Sequence, residues 1–276
     1  MRNNMFVAGM LVSATLSFNA LAHSDGHGAS SLQQAVNSDF RQDKNASRDD
    51  FRHPLETLVF FDINPSDKVI ELWPGGGWYA EILAPYLAID GQYIAGNFDT
   101  DPIDEKKRAG YKAKSGKKFE TWLQDNRQQL GKATTVTFDP PTHYALGDDA
   151  SVDVVLTFRN LHNWAMKEQL EPVFESAYKV LKSGGTFGIV EHRAKAGMDA
   201  KTGYMDEAKV IALAEKAGFT LVAKSEINAN DKDTKDYPKG VWTLPPRLAL
   251  DDLDKEKYLA IGESDRMTLK FIKNSQ

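Results

Sequence analysis

The sequence predicts an α/β fold: a doubly wound sheet of seven strands, mostly parallel, with an antiparallel last strand. Three observations lead there. Short apolar runs alternate with helical patterns along the chain, and such alternation makes a parallel sheet covered by helices on both faces. A glycine loop, WPGGGW at 73–78, directly follows the first of these runs. The last two runs have no helical pattern between them, so they are expected to pair as antiparallel neighbours.

The chain has 276 residues and 41% hydrophobic content, enough for one domain with a full core. Arg2 precedes an apolar run over 5–18, and Ala20-Leu21-Ala22 follows. This reads as a secretory signal peptide, residues 1–22, and implies an exported, periplasmic protein. The run falls short of the ~20 apolar residues a spanning helix needs, so no membrane span is expected after cleavage. Residues 23–46 are polar and read as a flexible lead-in; His23 and His27 lie in it without forming a metal motif. The remaining domain is expected over 47–276.

Within it, Ser47 reads as a helix N-cap with Asp49 and Asp50 in the first turn. Pro54 breaks that stretch, and a second helix is expected at 55–61. Residues 68–72 (KVIEL) are the first strand, 79–87 a helix shortened or kinked by Pro85, and 91–99 (GQYIAGNFD) the second strand. An insertion near 100–132 is strongly charged. Lys106, Lys107, Arg108, Lys112, Lys114, Lys117 and Lys118 crowd it and read as a solvated, partly flexible loop, followed by an amphipathic helix at 119–130.

Strands follow at 133–138 and 151–158, the latter nearly continuous in apolar residues, as strands buried on both faces tend to be. Then come a helix at 167–181, a strand at 184–192, a helix at 206–217 stopped by Gly218, and a strand at 219–227. The last strand is 266–273. The intervening insertion, 228–265, is too long for a plain hairpin loop and is expected to fold over the ligand edge as a lid.

Composition excludes several functions. The absence of cysteine rules out disulfides, thiolate metal sites and cysteine nucleophiles. A net charge of −5 argues against binding nucleic acid or an anionic membrane through bulk electrostatics. A small-molecule partner is left as the expectation.

In a doubly wound sheet, ligands bind beyond the carboxyl ends of the strands, where the glycine loop stands. Gly75, Gly77 and Ala80 fit G-x-G-x-x-A, and Asp99 follows about twenty residues later, as a dinucleotide's ribose ligand would. Glu71 points elsewhere. An acid at the end of the first strand repels a pyrophosphate and attracts a cation, and S-adenosylmethionine carries a sulfonium and an ammonium with no phosphate.

VIELWPGGGW resembles the first motif of class I S-adenosylmethionine-dependent methyltransferases, acid-x-Gly-x-Gly-x-Gly. GQYIAGNFD, SVDVVLTFRNLHNW, VLKSGGTFGIVEHR and EKAGFTLV resemble their second strand, fourth strand with its loop, fifth-strand entry and sixth strand, in order. RNLHNW with the downstream LKSGG is especially similar to quinone-biosynthesis C-methyltransferases. DFRHPLETLVFF and the end segment GVWTLPPRL…IGESDRMTLKFIK resemble a little-characterised family of predicted, often exported methyltransferases. The likeness spans about 47–273 and implies the Rossmann-like class I methyltransferase fold. It further implies S-adenosylmethionine as cofactor and a small or lipid-like methyl acceptor. The chain departs from the pattern at Trp73, where the first glycine is usual, at Asn97, where the ribose-binding acid is usual, and at Ser183, where proline is usual.

The resemblance implies cofactor contacts at Glu71, Gly75, Gly77 and Asp99, the last two residues beyond Asn97 on the same side of an extended strand. It places an acid on the adenine amino group at Asp139. Asn160, also a candidate cofactor contact, and Arg159 follow the fourth strand, either orienting a polar acceptor or the cofactor carboxylate or pinning the loop. His162 is the candidate base, needed only if the acceptor must lose a proton; otherwise it bonds the loop backbone. Glu191 and His192 end the fifth strand at the same edge, as a site pair or a surface pair. No metal site is expected. Two other functions stay open: an exported ligand-binding protein that kept the fold without catalysis, favoured by Trp73 and Asn97, and a nucleotide-dependent oxidoreductase. Export would place the protein where S-adenosylmethionine has no obvious supply.

Overall fold

The computed structural model describes residues 25–274, with side chains from residue 31 onward. The signal peptide expected at 1–22 and the metal question at His23 and His27 lie outside the described residues or side chains.

A single seven-stranded sheet runs in the order β3-β2-β1-β4-β5-β7-β6. Its strands are β1 (Lys68–Leu72), β2 (Gln92–Asn97), β3 (Thr134–Thr137), β4 (Val152–Phe158), β5 (Leu181–His192), β6 (Phe219–Ser225) and β7 (Arg266–Lys273). The first five are parallel, and β7 inserts antiparallel between β5 and β6. The order reverses between β1 and β4, so a crevice opens beyond their carboxyl ends.

Alternation along the strands splits the core in two. Ile70, Leu72, Val155, Phe187, Ile189 and Phe271 face helices Leu170–Val180 and Glu207–Lys216. Val69, Ala95, Val154, Leu156 and Val190 face helices Asp25–Val36, Pro54–Phe60 and Ala80–Tyr86. Neighbours of a strand residue point to opposite faces, so one apolar run feeds both layers. At one edge, β3 is short, threonine-rich and largely exposed, which limits further strand addition.

Three expectations need correction. The lead-in at 23–46 is not flexible over its described side chains: Leu32, Ala35 and Val36 are buried in the second core layer, and Arg41 grips Asp49 at 2.6 Å and 2.7 Å. Burial of a few apolar side chains suffices to order a polar-looking segment, and composition alone does not register it. Ser47 makes no cap; Arg48 holds that position, and the Asp49 carboxylate is taken by Arg41. The lysine-rich stretch is not a solvated loop but helices Glu105–Arg108 and Tyr111–Asp125, the second burying Ala113, Gly116, Phe119 and Leu123.

The insertion before β7 packs against the ligand edge through Val241, Trp242 and Leu244. A polar knot holds its base. Tyr204 donates to Asp233 at 3.1 Å, the amide of Asp265 donates to Asp233 at 2.8 Å, and Arg193 and Lys235 each reach Asp265 at 2.8 Å. No helix among the described residues is long and apolar enough to cross a membrane.

Candidate functional site

A cavity of about 440 Å³ lies over the switch point. The turn after β1, the turn after β4, the end of β5, the helices near Lys44–Arg52 and the insertion enclose it. Of the residues expected at the site, Glu71, Gly75, Asn160 and His162 line it, together with Trp73, Arg159 and His192. Asp99 and Asp139 line a second cavity, of about 1150 Å³, beyond the ends of β2 and β3.

Backbone conformation marks the rim. Trp73 and Arg159 have left-handed φ of 49° and 63° although neither is glycine. Such residues cost about 1–3 kcal/mol each, and they cluster where surrounding structure holds them for a purpose. Gly75 and Gly77, at φ 59° and 81°, take the same region without strain.

Glu71 is 3% exposed and accepts a 2.7 Å hydrogen bond from the Tyr93 hydroxyl. Burial pushes its carboxyl up to about 7, against the opposing pull of Tyr93 and Arg159. Asn160 donates to the carbonyls of Leu72 at 2.9 Å and Trp73 at 3.3 Å, so it pins the glycine loop to the turn after β4.

His162 and Glu191 form a buried pair. His162 Nδ1 lies 3.1 Å from Glu191 Oε1, while Glu191 Oε2 accepts from the Leu161 amide at 2.6 Å and Oε1 from the His192 amide at 2.8 Å. The carboxylate therefore sets the ring orientation and favours the tautomer with its proton on Nδ1, so Nε2 is the nitrogen that can accept from a ligand. His192 Nδ1 meets Ser264 Oγ at 2.5 Å; burial, then His162 and nearby arginines, hold its pKa well below the usual range, so it is neutral. His162, Glu191 and His192 are close enough to hold a metal ion. Both oxygens of Glu191 are already engaged by two amides and His162, so the carboxylate acts better as an orienting group than as a ligand.

Elsewhere the structure departs from the expected cofactor set. β2 stops at Asn97, so Asp99 lies past the strand and accepts from the Asp101 amide at 3.0 Å. The Asn97 side chain is buried and donates to the Gly116 carbonyl at 3.2 Å, under helix Tyr111–Asp125. Asp139 is ion-paired with Lys112. Gly77 sits against Phe119 rather than on the cavity wall.

Trp73 accounts for much of this. Its ring lies 4.9 Å from Phe98 and 4.7 Å from Trp164, and Lys112 Nζ stands 4.4 Å above it. The indole thus fills the space between the ends of β2, β3 and β4. With Lys112 it forms the wall between the two cavities. The buried Tyr93 partner, the Glu191 tether and the arginine contacts described below were missed by sequence reasoning. Only Glu191 carried a signal, as an acid at a strand's carboxyl end.

No protein-family model and no curated protein matches the sequence. Solved structures do match its fold. A SAM-dependent methyltransferase from Aquifex aeolicus superposes with a TM-score of 0.51 at 14% identity, over 89% of this chain and 98% of its own. A SAM-dependent methyltransferase from Methanosarcina mazei gives 0.53 at 12% identity, over 79% of this chain and 98% of its own. At these identities the likeness establishes the fold, the seven-stranded methyltransferase sheet.

Proposed function

We propose that this chain is an S-adenosylmethionine-dependent methyltransferase acting on a small or lipid-like acceptor. One observation carries the reading. The glycine loop and the acid Glu71 open onto the switch-point cavity, and a histidine fixed by a carboxylate stands on its other wall.

The fit to the cofactor is divided. The methionyl side suits it: Glu71 places a carboxylate beside the loop, where a cationic ligand favours its ionised form. The adenosyl side does not fit as folded, because Trp73 fills the cleft between Phe98 and Trp164 and Asn97 is committed to Gly116. Adenosyl binding therefore requires the indole to move. When bound, S-adenosylmethionine supplies a methyl group on a positively charged sulfur. The chain's own contribution is alignment and proton removal. His162 Nε2 takes a proton from an acceptor in the cavity, Glu191 stabilises the imidazolium that results, and Asn160 fixes the loop on which alignment depends. The insertion excludes water through Val241, Trp242 and Leu244.

Trp73 favours a second reading, a ligand-binding protein that kept the fold without methyl transfer. Calorimetric titration with S-adenosylmethionine, S-adenosylhomocysteine and NAD separates the two. Micromolar binding of the adenosyl compounds and none of NAD supports the methyltransferase; no heat with either adenosyl compound sinks it. Export to the periplasm is part of the proposal, and fractionation of cells expressing the full chain tests it.

A further inference from the structure

Four arginines converge on one carboxylate at the cavity wall. Glu263 lies 2.5 Å from Arg48, 3.1 Å from Arg52, 3.9 Å from Arg159 and 2.9 Å from Arg266. Burial raises the Glu263 pKa, but Arg52, Arg266, Arg159 and Arg48 overcome this and hold it at about 2. One negative charge against four leaves a large positive excess. Lys44 and Arg247 line the same cavity, so the rim adds no compensation. The acids nearby do little: Glu191 is tied to His162 and two amides, and Glu71, which burial pushes up to about 7, supplies only part of one charge.

Arg52 is 2% exposed, lines the cavity, and its Nη1 has no hydrogen-bond partner among the described residues. The Trp78 ring, 4.7 Å beneath the guanidinium, holds it in place. Burial, then Arg159, draws the Arg52 pKa well down, and burial draws that of Arg159 to about 10. Uncompensated buried charge of one sign costs several kcal/mol, so this arrangement works against folding unless an anion enters. Aromatic rings form part of the remaining wall. Tyr79 stacks on Phe158 with centroids 3.6 Å apart, and Trp242 stands edge-on to His162.

We propose that the cavity takes a small molecule with a carboxylate or phosphate group on a flat, apolar body, its anion held by Arg48, Arg52 and Arg159. Arg159 stands three residues before His162, the candidate base, and Arg159, Arg266 and Arg52 all act on the neighbouring His192. The anion is therefore assigned to the acceptor. Naming it the acceptor rests on the methyltransferase reading; the anion site itself does not.

The test titrates the purified chain with benzoate and with phenyl phosphate, and with benzyl alcohol as the uncharged control, by calorimetry and thermal denaturation. Saturable binding is expected for one or both anions and none for the alcohol. Arg159→Gln weakens binding by about tenfold or more, while Lys216→Gln, on the exposed surface, leaves it unchanged. Glu263→Gln removes the competing carboxylate and tightens binding, a direction a merely structural carboxylate does not predict. Arg52→Gln is read with a circular dichroism spectrum, since Arg52 is buried; Arg159→Gln carries the test if Arg52→Gln does not fold. Anion binding that is absent, or that ignores both Arg159→Gln and Glu263→Gln, overturns the site. Competition with benzoate by S-adenosylmethionine but not by its decarboxylated form assigns the arginines to the cofactor and overturns the acceptor claim. Anion binding without any adenosyl binding removes the methyltransferase reading and leaves the anion site standing.

Discussion

The indole Nε1 of Trp73 donates a 2.8 Å hydrogen bond to the backbone carbonyl of Phe138, fastening the turn after β1 to the end of β3. This bond closes the crevice on the side between the carboxyl ends of β1 and β3, where Trp73 also packs on Phe98 and Trp164.

Trp73→Gly is expected to open that side. Loss of a buried aromatic ring costs about 3–5 kcal/mol, partly offset because glycine relieves the positive φ. We expect a fall in Tm together with tighter binding of S-adenosylmethionine. Unchanged or weaker binding in a folded variant would show that the indole is no obstacle.

The His162–Glu191 pair is testable without a known acceptor. Glu191→Ala strands the amides of Leu161 and His192 and is expected to cost about 3–5 kcal/mol. A double-mutant cycle with His162→Ala is expected to give a coupling of about 1–2 kcal/mol. A coupling near zero by denaturant melts would mean that Glu191 does not hold the ring.

Glu71 predicts stability that falls as pH rises. Its folded pKa is about 7, above the ordinary value the unfolded chain shows. The unfolded state therefore loses its proton first, and stability drops through the window between about 4.5 and 7, by up to about 3 kcal/mol. Glu71→Gln is expected to lack this decline. Urea melts from pH 4.5 to 8 decide it; parallel curves for the two proteins would contradict the raised pKa.

Glu263 predicts the opposite sign at lower pH. Its folded pKa, about 2, lies below the unfolded value, so its contribution is complete above about 4.5 and is lost as pH falls toward 2. The magnitude is about 3 kcal/mol for a group this buried. Glu263→Gln is expected to be less stable at pH 7 and to lose less on acidification. Acid-unfolding curves that shift in parallel would argue against the arginine cluster as its cause.

Much of the framework was legible from residue order. β1 and β7 fall where the apolar runs at 68–72 and 266–273 placed them, because a run buried on both faces is a local signal. β6 and β7 do pair antiparallel, but not for want of a helix: the short helix Lys255–Ile261 stands in the insertion between them, a seven-residue element that the apolar pattern did not register. The glycine loop and His162 were also readable, since motif and strand end lie within a few residues of each other.

Other features only the tertiary structure decided, and they share a cause. Arg48 and Glu263 stand 215 residues apart in sequence and meet only because β7 inserts beside β5 while the segment before β1 folds across the same edge. Lys112 looked like one more solvated lysine until helix Tyr111–Asp125 set it over Trp73. By itself the sequence determined a seven-stranded sheet with an acid and a glycine loop at its switch point, because strand periodicity and turn chemistry are local. The sign of the cavity and the closure of the crevice beside Trp73 come from charges and rings brought together across the whole chain, and burial gives those encounters their energy.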